Sequence, residues 1–156
     1  MMRTTFKALL WIVAFQLIGM LMGYITGRGI EPWYLALHKS PLTPKPIVFS
    51  IVWPILYTML AIAAMLLWER RHDAKYKTLG YLFALQLIVN WAWTPLFFAW
   101  HFLGISFLWL CILTCLTLAT ILKACQHYKV IAIMLLPYFL WLCFACYLNG
   151  FIYMHN

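Results

Sequence analysis

Five long apolar stretches, separated by polar segments, follow one another along the chain. Each contains roughly the 20 apolar residues that a helix needs to cross a bilayer. They predict helices at about Lys7 to Ile25, Ile47 to Trp68, Thr78 to Trp100, Ile105 to Ala124 and Val130 to Tyr153. The first stretch is too long for the apolar core of a signal peptide, so we expect a retained helix. The pattern therefore predicts an all-α fold, an integral membrane bundle of five transmembrane helices that forms a single domain over residues 1–156.

The first polar segment, from about Thr26 to Pro46, is the longest break between these stretches. It holds four of the seven prolines, namely Pro32, Pro41, Pro44 and Pro46. Because proline fixes φ and removes a backbone donor, this segment is predicted to be stiff in spite of its length. A long but stiff connection is suited to be a lid over one end of the bundle.

The amino-acid composition indicates a membrane protein, and the positions of the basic residues indicate what the positive charge contacts. The chain is 67% hydrophobic and 9% charged, whereas soluble domains average about 25% charged residues. The formal net charge is +8, but the basic residues lie at helix ends rather than along one stripe. This distribution argues against nucleic-acid binding and favours contact with the anionic surface of a lipid bilayer.

The distribution of lysine and arginine also predicts an orientation. Eight of the eleven basic residues fall on the side of the N-terminus: Arg3, Lys7, Arg70, Arg71, Lys75, Lys77, Lys123 and Lys129. The other three, Arg28, Lys39 and Lys45, fall on the opposite side. The positive-inside rule therefore predicts a cytoplasmic N-terminus, with the helix 1–2 loop and the C-terminus facing the other way.

Few residues in this chain carry catalytic or metal chemistry. The three carboxylates, Glu31, Glu69 and Asp73, are predicted to lie in loops, which disfavours ion-coupled transport because coupled carriers use intramembrane ionisable groups. Cys143 and Cys146 match a Cys-x-x-Cys motif in letters only, since they lie within an apolar helix. The five histidines fall at loops or helix ends, where imidazoles are usually solvated. We expect no metal site and no required cofactor.

The most informative polar residue is Asn90, which lies inside an apolar stretch. A carboxamide in hydrocarbon is costly unless something hydrogen-bonds it. At helical spacing Gln86, Asn90, Trp93 and Phe97 share one face. This face resembles one wall of a pocket for a flat, mostly apolar ligand. The alternative is that Asn90 ties two helices together.

Two further helices carry aromatic faces that can be paired with the one around Asn90. The second helix offers Trp53 and Tyr57, and the fifth offers Tyr138, Trp141, Ala145 and, slightly rotated, Asn149. A planar ligand could be held between the indole faces and oriented by the Asn90 amide. The alternative, that these tryptophans belong to interfacial belts, fits Trp11, Trp33, Trp68 and Trp100 better, because those lie near the predicted helix ends.

Four segments, in order and at matching spacing, resemble the translocator protein family, also called TspO/MBR, tryptophan-rich sensory proteins or peripheral-type benzodiazepine receptors. They read Trp33-Tyr34-x-x-Leu37-x-Lys39-x-x-x-x-Pro44, Val52-Trp53-x-x-Leu56-Tyr57, Gln86-x-x-x-Asn90-Trp91-Ala92-Trp93-x-Pro95-x-Phe97-Phe98 and Pro137-Tyr138-x-x-Trp141-x-x-Phe144-Ala145-x-x-Leu148-Asn149. The resemblance implies a bacterial member located in the cell envelope. It also implies a homodimer, for which Gly80-x-x-x-Ala84 offers a small-residue face.

The resemblance further implies a pocket between the helices, closed by the helix 1–2 loop, that takes protoporphyrin IX, haem and related flat apolar ligands. By position, Trp53 and Asn90 match family residues that contact ligand, and Tyr34, Trp93, Trp141, Ala145 and Leu148 match pocket-lining positions. The implied function is a porphyrin sensor or scavenger. The alternatives are a light-dependent porphyrin-degrading enzyme, in which Trp53 and Trp141 would be catalytic, and a facilitative porphyrin transporter.

Overall fold

The computed structural model describes residues 2–156, with side chains from residue 4 onward, and every regular element in this range is helical. The helices are α1 (Met2–Gly29), α2 (Pro46–Glu69), α3 (Ala74–Thr94), α4 (Leu103–His127) and α5 (Lys129–His155). A π-helical turn, Ile30–Tyr34, follows α1 and another, Pro95–Ala99, follows α3. All five helices are long and apolar enough to cross a membrane. The predicted all-α bundle of five transmembrane helices is therefore confirmed.

The helices form a closed ring in the order α1, α2, α5, α4, α3. The most extensive packing joins α4 to α5, α1 to α2 and α3 to α4, and α2 packs against α5 less extensively. The turn Pro95–Ala99 closes the ring by packing against α1. The sequence neighbours α2 and α3 make fewer contacts with each other than α2 makes with α5. The interior is thus bordered by α2, α3 and α5, which carry the predicted aromatic faces.

Small residues allow the backbones to approach closely. Ala61 and Ala63 of α2 are completely buried, as is usual where helices pack inside a bilayer. On α1, a Cβ added to Gly19 would lie 2.9 Å from the Tyr57 ring, so the absence of a side chain at this position lets α1 pack closely against α2. A Cβ on Gly23, one turn further along α1, would meet nothing described within 4 Å.

Four of the five helices extend beyond their predicted ends, whereas α3 begins earlier than predicted but stops at Thr94, and the Pro95–Ala99 turn replaces the end predicted at Trp100. The α1 helix continues to Gly29, and the turn Ile30–Tyr34, in which Glu31 is non-helical (φ −109°, ψ 136°), takes up part of the predicted loop. Only Tyr128 separates α4 from α5, although a longer polar loop was expected there. Hydropathy marks the thickness of the hydrocarbon, whereas a helix continues into the interface because it satisfies its own backbone groups.

Three polar segments meet at one end of the bundle. Lys7 of α1 forms a 3.3 Å ion pair with Glu69 at the end of α2, and the Arg70 guanidinium lies 4.0 Å from the ring centroid of Tyr128. The N-terminal part of α1, the α2–α3 turn and the α4–α5 turn therefore share this end. Which side of the membrane it faces stays a prediction.

Candidate functional site

The buried polar face of α3 points into the interior of the bundle. Gln86 is completely buried, and its Oε1 accepts a 2.9 Å hydrogen bond from Thr117 Oγ1 of α4. One turn further, Asn90 is only 4% exposed, and no described residue accepts from its Nδ2. The Gln86 Nε2 is likewise without a partner. The helix-to-helix hydrogen bond on this face is thus made by Gln86, and the Asn90 amide keeps an unused donor.

An aromatic surface continues this face toward the loop end of the bundle. The Trp93 indole stacks on Phe97 with ring centroids 5.4 Å apart and planes 12° apart. Phe97 in turn meets the edge of Tyr34, at 6.1 Å and 72°. The Trp93 Nε1 has no partner among the described residues. Tyr34, Trp93 and Phe97, predicted as pocket residues from helical spacing or from the family resemblance, therefore form one contiguous cluster.

Gly29 makes the approach of α1 to this aromatic cluster possible. A Cβ added at position 29 would collide with the backbone carbonyl of Phe98. Only glycine lets the end of α1 lie directly on the π-helical turn Pro95–Ala99. This contact holds the turn, and with it the Phe97 ring that stacks on Trp93, against the end of α1.

Two tyrosines fill the centre of the bundle. Tyr138 of α5 is completely buried, and its hydroxyl lies beside Thr117 without reaching hydrogen-bond geometry. Tyr57 of α2 packs its ring on Gly19 and lies beside the Trp91 indole. The predicted pocket residues Tyr57 and Tyr138 are therefore part of the packed interior of the bundle.

The two tryptophans expected to face each other across a ligand have separate partners. Trp53 pairs with Tyr57 at 5.6 Å, whereas Trp141 pairs with Phe49 at 5.6 Å and with Phe144 at 5.8 Å. Among the described residues no ring contact joins Trp53 to Trp141. The α5 helix carries the remaining predicted residues on its inner side: Ala145 is partly buried against the core, and Leu148 is buried.

A groove of about 420 Å³ runs between α2 and α5 on the outer surface of the bundle. It is lined by Val52, Ile55, Leu56, Pro137, Leu140, Trp141 and Phe144. The lining is apolar, and Ile55 and Leu140 are more than half exposed to the surroundings. The groove therefore opens sideways, toward lipid, and its inner wall includes Trp141.

Unpartnered polar atoms are concentrated around this interior. They are Gln86 Nε2, Asn90 Nδ2, Trp91 Nε1, Trp93 Nε1, Ser106 Oγ, Tyr138 OH and Asn149 Oδ1. Each buried polar group without a partner costs about 1–3 kcal/mol. Four of the seven are N–H donors on α3, two from the amides of Gln86 and Asn90 and two from the indoles of Trp91 and Trp93. The sequence pattern missed Ser106, whose only signal is a hydroxyl within an apolar helix.

The segment from Leu37 to Lys45, which we call the lid, is fastened by polar contacts at one end of the site. The Lys39 ammonium donates to the carbonyls of Tyr34, Leu35 and Leu37 at 2.8, 3.0 and 2.9 Å. It thereby caps the end of the preceding helical turn, where carbonyls lack partners. Ser40 is buried, and its hydroxyl lies 2.9 Å from the Tyr147 hydroxyl of α5.

Comparison with known proteins agrees with this architecture. A model of the TspO/MBR family matches residues 11–154. The chain is 35% identical over 129 residues to the translocator protein of Ovis aries, covering 81% of this chain and 75% of that protein. It is 30% identical over 147 residues to the tryptophan-rich protein TspO of Archaeoglobus fulgidus, covering 93% and 94%. It is 32% identical over 124 residues to the tryptophan-rich protein TspO of Bacillus cereus, covering 80% of each chain.

Proposed function

Because this chain belongs to the TspO/MBR family of membrane proteins, we propose that it binds porphyrins such as protoporphyrin IX or haem inside the bundle. It acts there as a tetrapyrrole sensor or scavenger. The ligand-contacting residues are the ten named from the sequence: Tyr34, Trp53, Tyr57, Asn90, Trp93, Phe97, Tyr138, Trp141, Ala145 and Leu148.

The observation that carries the proposal is the Asn90 amide, which is 4% exposed and has a donor without a partner. A bilayer core offers that donor no water, so a bound molecule with acceptor atoms relieves its cost. The adjacent Trp93 and Phe97 rings supply flat apolar surface. A porphyrin combines both properties, because it is a large planar ring that carries carboxylate acceptors.

The packing of α2 on α5 is less extensive than that of α4 on α5, of α1 on α2 or of α3 on α4. Separation of α2 from α5 can therefore make space for the macrocycle. The groove between these helices already reaches Trp141 from the outside. Moving α2 away from α5 deepens the groove toward Trp53 and Asn90, and brings the two indoles to opposite faces of one cavity. Binding is therefore coupled to an opening of the bundle, and a lipid-soluble porphyrin enters from the bilayer.

The fastened lid favours retention of a ligand over its passage through the protein. The lid is bonded to α5 at two points, through Ser40 to Tyr147 and through His38 to Asn156, which favours a closed end of the bundle beneath it. A closed end suits a sensor or scavenger, whereas a transporter needs an exit there. Sequestration of the ligand is therefore favoured over facilitative transport.

The test is a titration of the purified protein in lipid nanodiscs with protoporphyrin IX in the dark, followed by quenching of tryptophan fluorescence. We expect Asn90→Ala to weaken binding about tenfold, which corresponds to about 1.4 kcal/mol for a lost hydrogen bond. Gln16→Ala is the matched control, because the Gln16 amide faces α2 and already donates to Pro54 O and Thr58 Oγ1. Equal affinity for the wild type and Asn90→Ala would contradict the proposed site.

Two further measurements separate the proposal from its alternatives. Illumination of the complex in air, followed by absorption spectroscopy, detects degradation of the macrocycle, and Trp141→Phe tests the catalytic role of Trp141. Flux of protoporphyrin IX into sealed vesicles detects transport. A sensor or scavenger binds in the dark with neither a new product nor flux.

A further inference from the structure

Two imidazoles from distant parts of the chain meet at the lid end of the bundle. The ring centroids of His38, in the lid, and His155, at the end of α5, lie 5.6 Å apart with planes at 56°. Both side chains are exposed. Neither residue belongs to the porphyrin site proposed above.

Backbone hydrogen bonds hold this pair together without using the His38 imidazole. The His38 N–H donates to Asn156 Oδ1 at 2.9 Å, and Asn156 Nδ2 donates back to the His38 carbonyl at 3.1 Å. Asn156 Nδ2 also donates to Ile152 O at 2.9 Å. The carboxamide thus clamps the backbone of the lid to the last turn of α5, and the His38 ring remains available.

The hydrogen bonding of the His155 ring is that commonly found in metal-binding histidines. Its Nδ1 lies 2.7 Å from the Phe151 carbonyl, and the ring stacks on Phe151 with centroids 3.9 Å apart. Because a carbonyl can only accept, Nδ1 carries the proton and Nε2 presents its lone pair. A backbone carbonyl that fixes the tautomer in this way is the common second partner of a metal-ligating imidazole.

Although the sequence alone predicts no metal site, we propose from this geometry that His38 and His155 bind one divalent transition-metal ion of the class that prefers imidazole, such as Zn²⁺ or Ni²⁺. Two imidazoles that share an ion at about 2 Å metal–nitrogen distances have ring centroids about 5–6 Å apart, and the observed separation lies in this range. Among the residues the structure describes, no third His, Cys, Asp or Glu completes the group. Water fills the other positions, and the site faces the aqueous phase.

The bound ion cross-links the lid to α5. His38 and His155 are 117 positions apart, and the ion binds the folded arrangement only. By mass action it therefore stabilises the closed lid in proportion to its concentration relative to its dissociation constant. The site makes the mobility of the lid respond to metal supply, independently of any porphyrin.

The experiment is a calorimetric titration of the detergent-solubilised protein with zinc chloride. We expect one site in the wild type, and at least about tenfold weaker binding in both His38→Ala and His155→Ala. His127→Ala is the matched control, since His127 is equally exposed at the opposite end of the bundle. The five free cysteines are present in every variant, so their contribution cancels in the comparison.

A second measurement follows the lid itself. Hydrogen exchange of the amides from 38 to 45 should slow when zinc is added to the wild type, and should not respond to zinc in His155→Ala. If either alanine variant fails to fold, His38→Gln or His155→Gln replaces it. Zinc binding that is unchanged in both histidine variants, or that depends on only one of the two histidines, overturns the proposal.

Discussion

The hydroxyl of Ser40 lies 2.9 Å from the hydroxyl of Tyr147, and this hydrogen bond joins the lid to α5. The Ser40 Oγ also accepts from the Leu42 N–H at 3.1 Å, so the same atom shapes the turn of the lid. Tyr147 follows Trp141 on α5 by less than two helical turns. A displacement of α5 at the groove is therefore transmitted directly to the lid.

Removal of this bond tests whether the lid controls retention of the ligand. Tyr147→Phe deletes one hydroxyl and leaves the ring, so we expect a loss of about 1 kcal/mol in the free energy that closes the lid. Dissociation of protoporphyrin IX should become faster, while its association rate changes little. Stopped-flow fluorescence measures both rates. Tyr153→Phe is the control, because the Tyr153 ring stacks on Phe107 and its side chain is exposed; equal dissociation rates in the two variants would speak against a gating role.

We expect the unpartnered Asn90 amide to lower the free energy of unfolding of the ligand-free protein. Asn90→Leu replaces a buried, unpartnered amide by an apolar side chain of the same branched shape, so the free energy of unfolding should rise by about 1 kcal/mol. Thermal unfolding in detergent measures the change, and porphyrin affinity should fall at the same time. Gln16→Leu should show the reverse for stability, since it breaks two hydrogen bonds to α2. A destabilised Asn90→Leu protein would mean that the amide is satisfied in the membrane.

Two glycines in the last turns of α1 provide a matched pair. Gly29→Ala places a methyl group against the Phe98 carbonyl, so we expect a loss of about 1–3 kcal/mol from overpacking. Gly27→Ala meets nothing described within 4 Å and should be neutral or stabilising, by up to about 1 kcal/mol, because alanine favours the helix. Thermal unfolding of both variants checks the difference. If the two variants unfold alike, α1 does not pack tightly on the Pro95–Ala99 turn.

The outer face of α3 leads to a prediction about oligomeric state. A Cβ at Gly80 would meet nothing described within 4 Å, and Ala84 is exposed, so this small-residue face is free to pack against a second copy. We expect Gly80→Leu to lower the yield of cross-linked dimer in lipid several-fold. Gly23→Leu, at an equally open glycine on α1, should leave the yield unchanged. Monomer alone in the wild type would refute the predicted homodimer.

The sequence predicted the helices well because bilayer crossing leaves a strong signal in hydropathy. It also placed Gln86, Asn90 and Phe97 on one face, and all three are buried on the inner side of the bundle. Here a polar residue in hydrocarbon was informative, since lipid cannot satisfy it.

Contacts between distant segments could not be foreseen in the same way. The Ser40–Tyr147 and His38–Asn156 pairs join a loop to the end of a helix, where no periodicity relates the two positions. The spacing of apolar residues also could not predict the direction in which the Trp141 side chain points. Helical spacing fixes the face of a residue to within a broad sector, whereas the rotamer decides whether the indole meets Phe49 or the interior.

The single residue Tyr128 between α4 and α5 determines how the molecule can deform. Because the connection is this short, we expect the antiparallel helices α4 and α5 to move together as one rigid wall. The hydrogen bond between Gln86 and Thr117 fixes α3 to that wall. The pair α1 and α2 forms the other panel, attached to the wall by the short turn after Glu69 and by the packing of Gly29 on the Pro95–Ala99 turn. We therefore expect the two panels to separate along the seam between α2 and α5, where the groove already reaches Trp141.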